Sequence, residues 1–269
     1  WKSLHGVVGI WVSAFLVLFL ISGLSWAGIW GGKMVQAWSQ FPAEKWDAVP
    51  LSDDIHASMN HHRREVPWAL EQTPMPASGS AAGAAGVAGA VTIDSIDALA
   101  REIGFDARYQ MNLPQDDTGV WTLSRDSMNT DSTDPMSDRT VHIDQHSGNI
   151  LADVRYADYS LAGKAMAVGI ALHMGTLGLL SVLANTLVCL SVLFLCVSAL
   201  VLWWKRRPTA AGRLSAPPMP SELPLWQGAV LVGLFVSMAF PMAGAVLLSV
   251  LAVDVLILSR LPALRHRLT

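Results

Sequence analysis

The sequence predicts a membrane protein in which an α-helical bundle of about four transmembrane helices carries an α+β domain on the outer side. The first observation is composition: 52% of the 269 residues are hydrophobic and only 14% are charged, whereas about a quarter are charged in an average soluble domain. The second is a set of three apolar blocks, each at least long enough for one bilayer span. The third is a polar segment between the first two blocks, which predicts a substantial part outside the membrane.

The first apolar block runs without a charge from about Gly6 to Trp30. It can cross a hydrocarbon layer of ~30 Å, and it is too long for a signal peptide and lacks a basic leading region. We therefore interpret it as the first transmembrane helix. Because the sequence starts at Trp1 rather than methionine, we expect it to begin inside a longer protein.

The second and third apolar blocks each predict two helices. The second begins near Leu161 and is about forty residues long, so we divide it into an interfacial lead-in and a span from about Leu177 to Trp204. The third runs from about Leu223 to Ser259 and is interrupted by Phe240-Pro241. Proline disfavours continuation of a helix, which predicts a transmembrane hairpin and brings the total to four spans.

Basic residues predict the side on which each loop lies, because short flanks rich in lysine and arginine face the cytoplasm. Such residues follow the second span and occupy the C-terminal tail: Lys205, Arg206, Arg207, Arg213, Arg260, Arg265 and Arg267. Residues 33–158 instead hold 9 Lys/Arg against 19 Asp/Glu, a net charge of −10. This segment is therefore predicted to lie outside the cytoplasm.

The outer segment has two parts of different composition. Residues 33–90 are rich in proline and tryptophan and end in an Ala/Gly run, Ser80–Ala90, which predicts a flexible linker. Residues 91–158 predict a small α+β domain whose helix is capped by Thr92. Four strand-like runs follow, the last two joined by a turn at His146–Asn149: Ala107–Asn112, Val120–Ser124, Thr140–Ile143 and Ile150–Val154.

The predicted parts follow one another along the chain. They are the first transmembrane helix (1–32), the irregular segment with its linker (33–90), the α+β domain (91–158), the lead-in and second transmembrane helix (159–207), a cytoplasmic loop (208–222), the transmembrane hairpin (223–260) and a cytoplasmic tail (261–269).

Two histidines within the apolar blocks are the main functional candidates. His5 and His173 each have a glycine one helical turn away, Gly9 and Gly169, and an unsatisfied polar group in hydrocarbon costs several kcal/mol. Each histidine is therefore either an axial ligand of a haem iron, with the glycine leaving room for the porphyrin, or hydrogen-bonded to a neighbouring helix. Since the two lie toward opposite ends of their spans, two haems there would form an electron path across the bilayer.

Other residues in the apolar blocks have simpler interpretations. Met238 and Met242 can serve as axial ligands, but packing is the better interpretation. Asp254 either pairs with a helix-end arginine such as the one at position 260, which is the better interpretation, or bears on a haem. Cys189 and Cys196 are seven residues apart, about 10 Å along a helix. We therefore expect no disulfide and two buried small side chains.

Histidines also cluster in the outer segment. His56 and either His61 or His62 could bind a metal ion with Met59 as a soft donor, or His61 or His62 could fold back as a haem ligand. An exposed, solvated loop is the simpler interpretation. Two further histidines lie in the predicted hairpin and are expected at the surface: His142 and His146.

Three motifs, in this order along the chain, resemble one known family. Leu4–Trp11 with Ser22–Leu24 resembles the opening helix of the PepSY-associated transmembrane family. Val141–Leu151 resembles the strand–turn–strand that closes a PepSY domain. Leu172–Gly175, followed about thirty residues later by Trp204–Pro208, is similar to the next helix of that family.

The resemblance implies a function. Members of the family include bacterial inner-membrane haem proteins that reduce ferric siderophores, which implies a haem-dependent ferric-siderophore reductase with a periplasmic PepSY-like domain. It implies two haems b, for which His5 and His173 are the axial ligands on this chain. The His-Gly helix often recurs twice in the family, so the second axial ligand of each haem can lie upstream.

The partners implied are a ferric siderophore and the lipid bilayer. A cytoplasmic electron donor is also implied, because the sequence contains no nucleotide-binding fingerprint. Nucleic-acid binding is not supported, because the acidic outer segment repels phosphate. The tryptophans of the outer segment either form an apolar shelf for the substrate or, as we prefer, pack in the core: Trp38, Trp46, Trp68 and Trp121.

Two other functions remain as alternatives. A non-enzymatic PepSY adaptor or regulator of a protease or transporter would need the outer domain but no intramembrane histidine. An accessory protein of a metal permease would use the His56–His62 cluster, and binding of copper or zinc by the outer segment would favour it.

Overall fold

The structure is a computed structural model that describes residues 1–23, 30–31, 39–42, 45–46, 48–60, 66–207, 226–257 and 260–261. It divides into two compact units: a helical unit, Trp1–Gly31 with Thr186–Thr269, and a sheet unit, Gly32–Asn185. The helices are α1 (Lys2–Gly23), α2 (Ile93–Glu102), α3 (Leu161–Met174), α4 (Leu179–Arg206), α5 (Trp226–Ala239) and α6 (Pro241–Leu256). The strands are β1 (Leu51–Ile55), β2 (Pro74–Pro76), β3 (Gln110–Asn112), β4 (Val120–Arg125), β5 (Arg139–Asp144) and β6 (Ile150–Arg155).

Helix α4 is the one helix in the described part of the chain that is long and apolar enough to cross a membrane. Its 28 residues extend over about 42 Å, more than a hydrocarbon layer of ~30 Å requires. Shorter apolar helical stretches lie at Lys2–Val17, Leu161–Met174, Val230–Ala239 and Pro241–Leu256. The second apolar block is divided between α3 and α4, as the sequence predicts.

In the helical unit, α1 packs on α4 near the start of the chain. The Trp1 ring stacks on that of Phe194, with centroids 6.2 Å apart. A side-chain carbon of Leu195 lies 3.7 Å from the position that a Cβ on Gly9 would take. Because small residues allow close helix–helix approach in lipid, Gly9 serves this contact as well as being a candidate site residue.

The break predicted in the third apolar block is present. Pro241 begins α6, where its missing amide proton leaves no hydrogen bond unmade. A Cβ on Gly244 would lie 3.0 Å from the Cβ of Ser237. Helices α5 and α6 therefore approach each other closely beside the turn at Phe240.

Several side chains of these helices are exposed where burial was predicted. Cys189 and Cys196 are unpaired, which confirms the absence of a disulfide between them, but both are exposed, so the prediction of burial is wrong. Met238 and Met242 are each 74% exposed, so the prediction that they pack is also wrong. The physical reason is that α4–α6 have few protein neighbours on these faces, whose apolar surface suits contact with lipid.

Charged groups near the helix ends also differ from expectation. Asp254 is exposed, and no ion pair joins it to Arg260 within the described part of the chain, so that predicted pairing is wrong. At the end of α4, the guanidinium carbon of Arg207 lies 3.3 Å from the ring centroid of Trp204. This cation–π contact places a positive charge beside an aromatic ring in the last turn of the helix.

The sheet unit contains a four-stranded antiparallel sheet in the order β3-β4-β5-β6. Helix α2 packs on one face and begins with a capping box, in which the Thr92 hydroxyl accepts from the Ser95 amide and the Ser95 hydroxyl accepts from the Thr92 amide. The predicted helix and the four strands are present, with strand ends within three residues of the predicted ends. The core beneath the helix comprises Ile96, Leu99, Ala100, Phe105, Trp121, Leu123, Val141 and Ile143.

The segment predicted to be irregular covers the opposite face of the sheet. Phe41, Trp46 and Leu70 are buried there against Ala152 and Val154 of β6. Strands β1 and β2 of this segment pair antiparallel in a separate two-stranded sheet. The sequence did not predict this pairing, because β2 is only three residues long and has proline at both ends.

Helix α3, the predicted interfacial lead-in, packs on the sheet unit. The Ser160 hydroxyl caps its N-terminus by accepting from the Gly163 amide at 3.1 Å. Ile170 is buried against Trp68, and Met166 and Met128 pack at the edge of this contact. The helix ends at Gly175, whose positive φ of 74° favours glycine.

The Ala/Gly run Ser80–Ala90 is not the flexible linker that its composition predicts. Ala84 forms an antiparallel bridge with Ile150, with N···O distances of 2.9 and 2.8 Å, and the Val87 amide donates to the Gly148 carbonyl at 2.9 Å. A Cβ on Gly83 would lie 2.5 Å from the Ile150 carbonyl oxygen. The glycines therefore allow this backbone to lie against the start of β6.

We expect Gly83→Ala to loosen this bridge. The new Cβ would contact the Ile150 carbonyl and the residue would have to keep a φ of +91°, a combination that costs roughly 1–3 kcal/mol. Faster hydrogen exchange of the Ala84 and Ile150 amides would measure the effect. Gly89→Ala is the matched control, because Gly89 has a φ of +99° with no atom within 4 Å of its Cβ position; equal effects of the two substitutions would contradict the prediction.

Candidate functional site

His5 is hydrogen-bonded to a neighbouring helix. Its Nδ1 lies 2.6 Å from the Ser198 hydroxyl oxygen on α4, and the Ser198 hydroxyl donates to the Leu195 carbonyl at 3.1 Å. A hydroxyl has a single proton, so Ser198 must accept from His5, and the His5 Nδ1 carries the ring proton. In the neutral form of the ring, Nε2 then carries the lone pair through which imidazole binds a metal.

This arrangement joins the two interpretations of His5 that the sequence left open. A histidine that binds a metal almost always donates its other ring N–H to a nearby acceptor, which fixes the tautomer and the ring orientation. The serine bond supplies that orientation without using Nε2. In addition, a Cβ on Gly6, the residue after His5, would meet no other described atom within 4 Å apart from its chain neighbours and its own helix backbone. The residues fit an axial haem ligand.

His173 lies in the last turn of α3, and its side chain is exposed. The side-chain amide of Asn185, on α4, donates to the carbonyls of Leu172 and His173 at 2.9 and 3.0 Å, so it satisfies orphan carbonyls at the helix end. One turn earlier, the Cβ position of Gly169 has no atom within 4 Å. The helix surface at Gly169 is therefore open, whereas at Gly9 a side-chain carbon of Leu195 lies 3.7 Å from the Cβ position.

The sheet unit contains a pair of buried histidines that are hydrogen-bonded to each other. His56, directly after β1, and His142, in β5, are both fully buried. Their Nε2 atoms lie 2.9 Å apart. The Nδ1 of His56 lies 2.7 Å from the Thr73 carbonyl, and the Nδ1 of His142 lies 2.9 Å from the Thr122 hydroxyl.

With both rings neutral, the form that burial favours, the hydrogen bonds of this pair have one arrangement. The Thr73 carbonyl can only accept, so Nδ1 of His56 carries the ring proton and donates to it, and Nε2 of His56 accepts a hydrogen bond from the N–H at Nε2 of His142. The Nδ1 of His142 then accepts from the Thr122 hydroxyl. Burial lowers the pKa of His56 from 6.5 to about 4, although its bond to Thr73 opposes the shift. Burial, and then the charge of His56, lower the pKa of His142 well below its ordinary value.

This pair corrects two predictions. His56 was expected in an exposed loop or with a metal ion beside His61 or His62, and His142 was expected at the surface; both are buried in contact with each other. His61 and His62 lie outside the described residues. His146 is exposed, as predicted. Within the described residues, no group of three or more His, Cys, Asp or Glu side chains is placed to hold a metal ion.

The outer tryptophans pack in the core where they are described. Trp46, Trp68 and Trp121 are each at most 8% exposed, which favours the packing interpretation over an apolar shelf. The Trp46 ring lies 6.3 and 6.2 Å from the imidazoles of His56 and His142 and shields the pair from water. Trp38 lies outside the described residues.

Two buried acids beside α3 were missed by the sequence analysis. Asp126 and Asp138, at the ends of the β4–β5 loop, are 1% and 4% exposed and line a cavity of about 20 Å³ with Tyr159. Burial raises the pKa of Asp126 to about 6 and that of Asp138 to about 7. In sequence, acids in such a loop look like any solvated turn, so there was no signal to find them.

Comparison with known proteins identifies the family but no individual relative. The family model for the PepSY-associated TM region matches residues 1–206, about three quarters of the chain. No curated protein and no solved structure matches. The matched range includes both candidate ligands, His5 and His173, and the complete sheet unit. The chain belongs to the PepSY-associated transmembrane family.

Proposed function

We propose that this protein is a haem-dependent reductase of the bacterial inner membrane that passes electrons to a ferric siderophore in the periplasm. The observation that carries the proposal is the bond between Nδ1 of His5 and the Ser198 hydroxyl, which holds the ring in one orientation and does not use its Nε2. His5 and His173 are the axial ligands on this chain. Bound haem b would supply one-electron redox chemistry, and iron is released because siderophore oxygens hold Fe(III) more strongly than Fe(II).

In this proposal four helices, α1, α4, α5 and α6, form the transmembrane bundle and the sheet unit lies in the periplasm. Helix α4 supports this arrangement by its length and apolar composition. Its last turn carries Lys205 and Arg206, and this positive charge supports a cytoplasmic C-terminal end. A cytoplasmic carrier or protein delivers the electrons.

Each residue of the candidate site has a separate task. His5 presents Nε2, and Ser198 holds its ring in one tautomer and orientation. Asn185 holds the end of α3, which carries His173, by bonding two of its last carbonyls. Gly169 leaves the space next to its helix open for a planar group.

The test is the haem content of the full chain purified after haem-replete expression, measured by the Soret band and a pyridine-haemochrome count. We expect His5→Ala and His173→Ala each to lose a haem. Ser198→Ala is expected to weaken haem binding by roughly 10–100-fold, the usual effect of removing a group that orients a metal ligand. Ser191→Ala is the matched control, because its hydroxyl also donates within α4, to the Leu187 carbonyl, and it is expected to keep the wild-type spectrum.

Two outcomes would overturn the proposal. A colourless wild-type preparation would favour the non-enzymatic PepSY adaptor, which needs no intramembrane histidine. A wild-type spectrum in the His5→Ala and His173→Ala proteins would show that neither residue is a ligand.

A further inference from the structure

Two buried acids lie opposite each other just beyond one end of the four-stranded sheet. Arg125 of β4 pairs with Arg139 of β5; Asp126 follows the first of these residues and Asp138 precedes the second. The backbone amide of Ser127 donates to Oδ1 of Asp138 at 2.8 Å, so the segment that carries Asp126 is bonded directly to the other acid. Both acids line one small cavity. The fold therefore brings two acidic residues to one buried place.

Neither acid is paired with a cationic side chain in the part of the chain that the structure describes. No lysine, arginine or histidine of that part lines the cavity, and none of its ion pairs includes Asp126 or Asp138. The hydrogen bonds that the two carboxylates accept come from neutral groups of their own loop, Asn129 for Asp126 and Ser127 for Asp138. Because a carboxylate has about four lone-pair positions, both acids can bind a further ligand, and buried charges are normally paired or bound to a metal ion.

The hydroxyl of Tyr159 is a third polar group at this place. Tyr159 is 5% exposed and lines the same cavity, and its hydroxyl oxygen is buried with no hydrogen-bond partner among the described residues. Burial, and then the charges of Asp138 and Asp126, raise the pKa of Tyr159 well above its ordinary value, so both carboxylates lie close enough to act on it. A buried tyrosine hydroxyl usually has a partner. This unpartnered hydroxyl beside two acids therefore points to a bound ligand.

We propose that this cavity binds Ca²⁺ between Asp126, Asp138 and Tyr159. The donors are all oxygens, which suit a hard cation, whereas zinc and copper prefer nitrogen or sulfur. Two carboxylates also balance the charge of one divalent ion. The cavity volume of about 20 Å³ admits about one water-sized group. Mg²⁺ usually keeps several waters, but Ca²⁺ accepts protein oxygens in a flexible geometry, and the buried Ser127 supplies a further hydroxyl at the cavity wall.

Bound Ca²⁺ would join the β4–β5 loop to the start of α3. Tyr159 directly precedes Ser160, whose hydroxyl caps this helix, and Gly163 and Met166 of α3 line the same cavity. In the metal-free protein the acids at positions 126 and 138 hold protons instead, because burial raises their pKa values, and Ca²⁺ displaces these protons when it binds. The ion would therefore fix α3 on the sheet unit.

The experiment uses the full chain in detergent, freed of metal with EGTA. Hydrogen exchange of the amides of residues 126–138 and of the first turn of α3 is followed while Ca²⁺ is added. We expect exchange to slow with a Kd of about 0.1–1 mM, the range of extracellular calcium modules, and to be about tenfold slower at ten times the Kd. Asp126→Asn and Asp138→Asn are each expected to weaken binding about tenfold or more, because affinity depends on the number of charged ligands. Tyr159→Phe should weaken binding less, because it removes an oxygen but no charge.

Asp134→Asn is the matched control, since Asp134 lies in the same loop, is exposed and does not line the cavity. Asparagine has the size of aspartate and keeps a side-chain oxygen that can accept from the loop amides, so the variants should fold, and unchanged exchange in α2 would verify this. The proposal is overturned if Ca²⁺ gives no protection up to about 10 mM, if Mg²⁺ protects equally well, or if Asp134→Asn weakens binding as much as the cavity variants. None of these outcomes depends on haem, because His5 and His173 are unchanged.

Discussion

Replacing His142 by alanine is expected to lower the free energy of opening of the sheet unit by about 3–5 kcal/mol. The substitution removes a fully buried ring and leaves a cavity between β5 and the segment that covers it. It also removes the donor to Nε2 of His56 and the acceptor of the Thr122 hydroxyl. A loss of this size is a large part of the stability of a typical domain.

Hydrogen exchange of the β4 and β5 amides in the full chain would measure this loss. His146→Ala is the control, because His146 lies four residues away on the same hairpin but is exposed, and a surface substitution is expected to change stability by no more than about 0.5 kcal/mol. His142→Gln should fall between the two, since its side-chain nitrogen can still donate to His56. If the alanine variants at positions 142 and 146 exchanged at similar rates, the pair would not stabilise the unit.

The sheet unit shows which structural features the sequence could predict. Helix α2 and strands β3 to β6 carry local signals: the Thr92 cap, helical or alternating spacing of apolar residues, and the turn at His146–Asn149. In the second apolar block, glycines 175 and 178, both with positive φ, mark the break between α3 and α4. These elements were predicted correctly because each depends on residues close together in the chain.

The features that the sequence could not predict depend on distant partners. His56 and His142 are 86 residues apart, and His5 and Ser198 are 193 apart. In β5, His142 alternates with Val141 and Ile143, which pack in the core beneath α2, so its side chain lies on the opposite face of the sheet. That face was assumed to contact solvent, because the segment that covers it has no periodicity to predict its position.

Composition was misleading at the Ala/Gly run for a related reason. Glycine-rich sequence is typical of flexible linkers, but glycine also permits close backbone approach because it has no Cβ. At Gly83 the second property applies, since Ile150 occupies the space that a Cβ would need. Only the position of β6, set by the rest of the sheet, distinguishes the two cases.

The buried acids and the buried histidines are expected to have opposite effects on stability as pH changes. A histidine whose pKa is lowered on folding makes its full contribution to the free energy of opening above about pH 6.5, where the ring is neutral in both states. As pH falls toward its folded pKa, about 4 for His56, the unfolded state binds the proton first and that contribution is lost. Each of the two histidines therefore lowers the free energy of opening by about 1.4 kcal/mol per pH unit in this range. Asp126 and Asp138 have raised pKa values, about 6 and about 7. The free energy of opening therefore rises as pH falls, because the folded state binds these protons before the unfolded state does.

Between pH 6 and 4 the two effects nearly cancel, and we expect the opening free energy of the wild-type sheet unit to change little. In the double variant Asp126→Asn/Asp138→Asn the histidines act alone, so stability should fall by about 3 kcal/mol per pH unit. In His142→Gln the acids are opposed by one histidine, so stability should rise by about 1.4 kcal/mol per pH unit as the pH falls. Hydrogen exchange, corrected for the intrinsic rate at each pH, would give these slopes. The slope is the quantity compared, so a loss of stability that is the same at every pH does not affect the result. Equal slopes in the three proteins would contradict the prediction, because they would show that these groups do not titrate as their burial requires.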